Sequence, residues 1–175
     1  SQERENYNEI EEKINAIKEK YKKIRDEKFK QRLSEMGIVV SDTDTRGDLF
    51  EKEKQFYIAR EKIENTLESY YRSCASAIFQ LNRRYLPKKM SIFRLIDTRF
   101  ENSSMHIRLD EAQEEDWLML IYLKNNNPEE NIVVEDKSNP EKSFSKEYKH
   151  NEIFAFSDHL VNSLVGMIDR QYKKN

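Results

Sequence analysis

Trp117-Leu118-Met119-Leu120-Ile121-Tyr122-Leu123 is an unbroken apolar run set between an acidic stretch and an asparagine-rich one. In a chain with 37% charged residues, it is the segment that must lie against other protein rather than water. Its length, its aromatic residues near each end and its abrupt polar flanks favour a strand. The lack of alternation predicts burial on both faces. A length of 175 residues suffices for one domain, or for a small domain with a helical extension, built around that strand.

The N-terminal part has a different period. Tyr7, Ile10, Ile14, Ile17, Tyr21 and Ile24 recur at alternating intervals of three and four, an a/d seam among Lys, Glu and Arg. The frame slips at Lys28 and resumes through Phe29, Leu33 and Met36, as a stutter does. So polar a helix does not hold by propensity alone and must bury its seam. An intramolecular hairpin with the following helix and a homo-oligomeric coiled coil both satisfy that requirement. In the second case Ile10, Ile14, Ile17, Tyr21 and Ile24 carry the self-association.

Gly37 is expected to close this helix, and Asp48 to cap the next, with Glu51 completing a capping box. The second helix is read as continuous from Asp48 to Pro87. Its apolar stripe widens toward Tyr85, as expected where a helix enters a globular core. Residues 1–87 are therefore read as a helical stem, and 88–175 as an α+β head. In the head, residues 91–100 fit a short helix or a strand equally. Met105, Ile107 and Leu109 alternate as a half-buried strand, and Ile132–Val134 form another. Asp136–Lys142 reads as a loop and Phe144–Tyr148 as an edge strand. Ser157 is expected to cap a last helix, with Leu160, Val161, Leu164, Val165 and Ile168 facing the sheet. The fold class is α+β: a long helical hairpin or coiled coil leading into a small antiparallel sheet packed by a C-terminal helix.

Lys and Arg number 31 against 33 Asp and Glu, for a net charge of −2. That balance argues against general nucleic-acid binding, which calls for a basic excess. Cys74 is the only cysteine, so no intrachain disulfide forms and a reducing, cytoplasmic setting is expected. No apolar run approaches the roughly 18–20 residues of a membrane span. The chain opens at Ser1 rather than at a methionine, so any membrane attachment is expected from a segment outside it.

Two stretches carry chemistry-bearing patterns. Asp42-x-Asp44-x-Arg46-Gly47-x-Leu49-x-x-x-Glu53 has the spacing of an EF-hand loop, with Asp42, Asp44 and Glu53 at oxygen-ligand positions. Arg46 stands where a ligand oxygen belongs, so calcium is a weak expectation, and no other cofactor is expected. Arg83, Arg84, Lys88, Lys89, Arg94 and Arg99 cluster with Asp97 as the only acid among them, and His106 and Arg108 follow. With Tyr85 and Phe93 interleaved, they outline a site for a small anionic ligand such as a nucleotide or short oligonucleotide. With three glycines, phosphate-cradling loops are almost excluded, and zinc spacings and nucleophile–base pairs are missing. Asp158 and His159 are adjacent but lack a nucleophile nearby. The expectation is a non-enzymatic, oligomeric interaction module, of scaffold or assembly type, for a protein partner. The alternative is a sensor domain binding an anionic phosphorylated signal through the basic cluster.

Overall fold

The computed structural model describes residues 2–174 and falls into two compact units, one ending at Ile58 and the other beginning at Ala59.

The first unit contains α1 (Gln2–Glu35) and the opening of α2 (Arg46–Thr66). At 1.5 Å per residue, α1 is about 50 Å long, and Leu33 is its single buried residue. Gly37 ends it in the left-handed region, at φ +87°. Gly37 N–H donates to Ser34 O and Ile38 N–H to Leu33 O, the paired bonds of a Schellman motif. The chain then turns back, and α2 begins earlier than the sequence reading placed it. Thr45, not Asp48, is the cap. Asp48 N–H donates to Thr45 Oγ1 at 3.2 Å, and Thr45 N–H returns a bond to Asp48 Oδ2 at 2.9 Å. Asp48 therefore fills the third position of the capping box, which moves the helix start three residues upstream. The two helices meet near this turn. Leu33 and Leu49 are fully buried, and Phe29 meets Phe50 edge-to-face at 4.9 Å.

The second unit contains the end of α2, then α3 (Glu68–Arg84), β1 (Phe93–Thr98), α4 (Arg99–Asn102), β2 (Ser104–Leu109), β3 (Met119–Leu123), β4 (Ile132–Asp136), β5 (Phe144–Tyr148) and α5 (Ile153–Lys174). What the sequence presents as one helix from Asp48 to Pro87 is two, interrupted at Leu67. Just before the break, Thr66 Oγ1 donates back to Lys62 O at 2.7 Å, a side-chain bond that competes with the helical ladder and bends it. The ambiguous stretch 91–100 resolves into β1 followed by the short α4.

The five strands form an antiparallel meander in the order β1-β2-β3-β4-β5. The apolar run of the sequence is thus the central strand, but it is covered on one face only. Met119, Ile121 and Leu123 are buried, while Leu120 and Tyr122 are half-buried on the other side. That correction follows from antiparallel pairing, which needs helices on only one face. The register places Phe93, Met105, Ile107, Met119, Ile121, Val134, Asp136 and Tyr148 on the covered face. Over it lie Tyr70, Cys74, Ile78 and Leu81 of α3 and Phe156, Leu160, Leu164, Met167 and Ile168 of α5. Helix α5 starts at Ile153, a turn before the expected Ser157 cap. Glu152 O accepts from Phe156 N–H, and Ser157 Oγ instead meets Ser73 Oγ of α3 at 2.7 Å. Val161 and Val165, expected on the sheet, are exposed, and Phe156 and Met167 take the inner face. Among the described residues, no helix is long and apolar enough to cross a membrane.

Candidate functional site

The seam of α1 is bare. Tyr7, Ile10, Ile14, Ile17, Tyr21 and Ile24 are each 38–67% exposed. The contact of α1 with the opening of α2, through Phe29 and Phe50, leaves that heptad stripe uncovered.

The basic cluster does not form one surface. Arg83 and Arg84 close α3, and Lys88 and Lys89 follow in the turn beyond it, all exposed. Arg94 and Arg108 are cross-strand partners on the outer face of the sheet, with His106 one position along β2 on the same face. Arg94 already pairs with Asp110 at 3.0 Å. Burial, and then the charge of Arg108, lower the pKa of His106. Among the described residues, neither His106 Nε2 nor Arg108 Nε finds a hydrogen-bond partner.

Arg99 belongs to the covered side and is only 5% exposed. Its guanidinium meets Asp97 at 2.9 Å and Glu68 at 2.8 Å, and lies 4.1 Å from the Tyr71 ring centroid. Burial works against its charge, but the hydrogen bonds it donates to Asp97 and Glu68 outweigh burial and raise its pKa. Arg99 is thus a structural clasp joining α3 to the start of α4. Arg99→Ala is expected to lower the denaturation midpoint by an amount equal to about 2 kcal/mol, and Arg94→Ala by less than about 0.5. Equal effects in urea titrations would remove Arg99 from that role.

In the first unit the carboxylates of Asp44 and Glu53, two of the three acids of the calcium-like loop, are engaged with cations. Asp44 Oδ2 accepts from Lys52 Nζ at 2.6 Å and from Ser41 N–H at 2.8 Å, and Glu53 pairs with Arg32 at 2.6 Å. The Asp42 carbonyl accepts from Lys30 at 3.3 Å. Among the described residues, no group of three or more acids, histidines or cysteines is placed to hold a metal.

A different set of residues forms the most connected polar site, where β4 meets α5. Asp136 ends β4 facing the core and is 1% exposed. Oδ1 accepts from Ser138 N–H at 2.9 Å and from Ser138 Oγ at 2.6 Å. Oδ2 accepts from His159 Nε2 at 2.7 Å and from Ser163 Oγ at 2.5 Å. Burial opposes ionisation of this carboxyl, yet the bonds from His159, Ser138 and Ser163 together prevail and hold its pKa at about 2. His159 Nδ1 in turn meets the Tyr148 hydroxyl at 2.6 Å. Burial, followed by the charges of Glu152 and Asp136, pushes that phenol up to about 12, so it stays protonated. Both ring nitrogens of His159 are therefore occupied.

A cleft of about 590 Å³ opens beside this junction, between β5 and α5. Phe144 stacks on the His159 ring at 5.2 Å and 22°. Lys142, Lys146 and Arg170 also line it, with Asn139, Asn162 and Asp158. Most of these residues lie outside the sequence-derived sites. One signal was present: Ile132, Val134 and Asp136 share the inward period of a strand, which aims an acid at the core and requires donors there.

No family model matches the chain, and no curated protein or solved structure is significantly similar to it.

Proposed function

We infer that the chain is a non-enzymatic interaction module of scaffold or assembly type. It self-associates through α1 and presents the unit beyond Ile58 to a protein partner. The observation that supports this reading is the uncovered seam from Tyr7 to Ile24 on a helix too polar to persist alone. A second copy of α1 is the occupant whose period matches it.

The seam also favours an orientation. In an antiparallel pair, Tyr7 faces Ile24 of the second copy, Ile10 faces Tyr21 and Ile14 faces Ile17, so every layer joins an a to a d position. The flanks then set Glu11 against Lys18 and leave Lys13 with Lys20, and Arg4 with Arg25, as like-charged pairs. A parallel in-register pair sets Lys13 against Lys18 and Lys20 against Arg25, both repulsive. Fewer than three heptads give a weak contact, so association depends on concentration.

Disulfide trapping tests this. Chains carrying Ile14→Cys are mixed with chains carrying Ile17→Cys and oxidised. A covalent dimer of the mixture, with little from either alone, is the expected result. Background from Cys74 is low, because the residue is buried and its thiol is pushed up to about 12. Trapping of Ile14→Cys alone would replace the orientation with a parallel one. No trapping in any mixture, with a mass of 21.1 kDa at every concentration, would overturn self-association through α1. The single unpaired cysteine fits a reducing, cytoplasmic setting.

A further inference from the structure

Arg32, Lys52, Lys62, Arg72, Arg94, Arg99 and Lys124 pair with carboxylates, while most other Lys and Arg among the described residues do not. Lys142, Lys146 and Arg170 are set apart by where they stand. Among the described residues, none has a carboxylate within ion-pair distance, and all three line the same cleft between β5 and α5. Arg170 Nη2 donates to Ser138 O at 2.8 Å, which fixes the guanidinium at the cleft while leaving further N–H groups unused. It lies across Gly166, where an added Cβ would come within 3.5 Å of Arg170 Nη1. Lys146 sits over the Tyr148 ring, with Nζ 5.2 Å from the centroid.

An aromatic platform stands in the same space. Phe144 is 42% exposed, with one face against His159 and the rest open to the cleft. The junction behind it is rigid, since Asp136 fastens His159 and Ser163 of α5 to the end of β4. Asn139 and Asn162 add amide donors and acceptors to the lining. Clustered unmatched cations recognise phosphate, an open aromatic face recognises a planar ring, and amides read the polar edge of that ring. Asp158 is the one acid in the lining.

We propose that the cleft between β5 and α5 binds a nucleoside monophosphate, with Lys142, Lys146 and Arg170 on the phosphate and Phe144 stacked on the base. This site is distinct from the basic cluster Arg83–Arg99 and does not depend on self-association through α1.

Calorimetric titration of the full chain with the four ribonucleoside monophosphates, and separately with inorganic phosphate, tests it. At least one nucleotide is expected to bind in the micromolar to millimolar range, weakening as salt rises. Lys142→Ala, Lys146→Ala and Arg170→Ala are each expected to weaken nucleotide binding by about tenfold. Phe144→Ala should weaken the nucleotide by about the same factor and leave inorganic phosphate unchanged. Lys142, Lys146 and Phe144 are exposed, so unchanged melting temperatures are expected for those variants and serve as the folding control. Arg83→Ala with Arg84→Ala should leave binding unchanged. The proposal is overturned by saturating titrations without heat in any buffer, or by binding that survives the cleft variants. It is equally overturned by binding lost in the Arg83/Arg84 variant, or by phosphate and nucleotide of equal affinity.

Discussion

Asp136→Ala is expected to lower the stability of the second unit by about 3 kcal/mol, a large fraction of what a domain of this size has. The carboxylate is buried and accepts four hydrogen bonds, two from Ser138, one from His159 and one from Ser163. Removing it strands all four donors beside an apolar core, and an unsatisfied buried group costs about 1–3 kcal/mol. Asp136→Asn keeps the shape but turns an NH2 toward donors, so an intermediate loss is expected. Ser163→Ala should cost about 1 kcal/mol, because it removes a donor that the carboxylate can forgo.

The same residue sets an acid limit. Its pKa is held at about 2 in the folded chain against an ordinary 3.8. Because the folded value is the lower one, the stabilisation is complete above about pH 4 and is lost as pH falls toward about 2. It amounts to about 2 kcal/mol. Urea titrations at pH 7 and at pH 3 should show about half of this loss, about 1 kcal/mol, in the parent and a smaller one in Asp136→Asn. A parent and an Asp136→Ala variant with the same midpoint at pH 7 would show that the junction does not hold α5 to β4.

Ile14→Glu combined with Ile17→Glu is expected to abolish self-association while leaving the melting of the second unit unchanged. In the antiparallel pair the two residues face each other twice, so four buried isoleucines become carboxylates. At about 1.5 kcal/mol per lost side chain, before any charge desolvation, affinity falls by about four orders of magnitude. Sedimentation should then show one species at the mass of a single chain. Substitution at exposed flank positions such as Lys22 should not have this effect. A variant that still associates as the parent does would remove the seam from the interface. A variant whose second unit unfolds would show that the stem and that unit depend on each other.

Periodicity made much of this architecture legible. The heptad stripe fixed α1, and the alternation of Met105, Ile107 and Leu109 fixed β2. The apolar run located the middle of the sheet, although pairing geometry left its Leu120–Tyr122 side half-open. Helix starts were less legible. Thr45 and Asp48 are both good caps, and only the reciprocal bonds between them show which is outside the helix. The site was the least legible. Arg99 reads as part of a basic cluster in sequence, but a chain reversal places it against Asp97 and Glu68. Lys142, Lys146 and Arg170 are spread along the chain and carry no local signal. Their grouping depends on α5 returning beside β5, a distance relation that no spacing along the chain encodes.

The meander has a consequence for how the second unit assembles. Each strand pairs with its neighbour in sequence, so hairpins close over short loops and form early. The helices that cover the sheet come from opposite ends, and they meet through Tyr70 with Phe156 and Ser73 with Ser157. That clasp is among the contacts of longest range and carries a large loop-closure entropy, so it is expected to form last. The sheet is then a kinetic scaffold whose covered face stays open until α5 docks. Substitutions at Phe156 should speed unfolding far more than they slow folding.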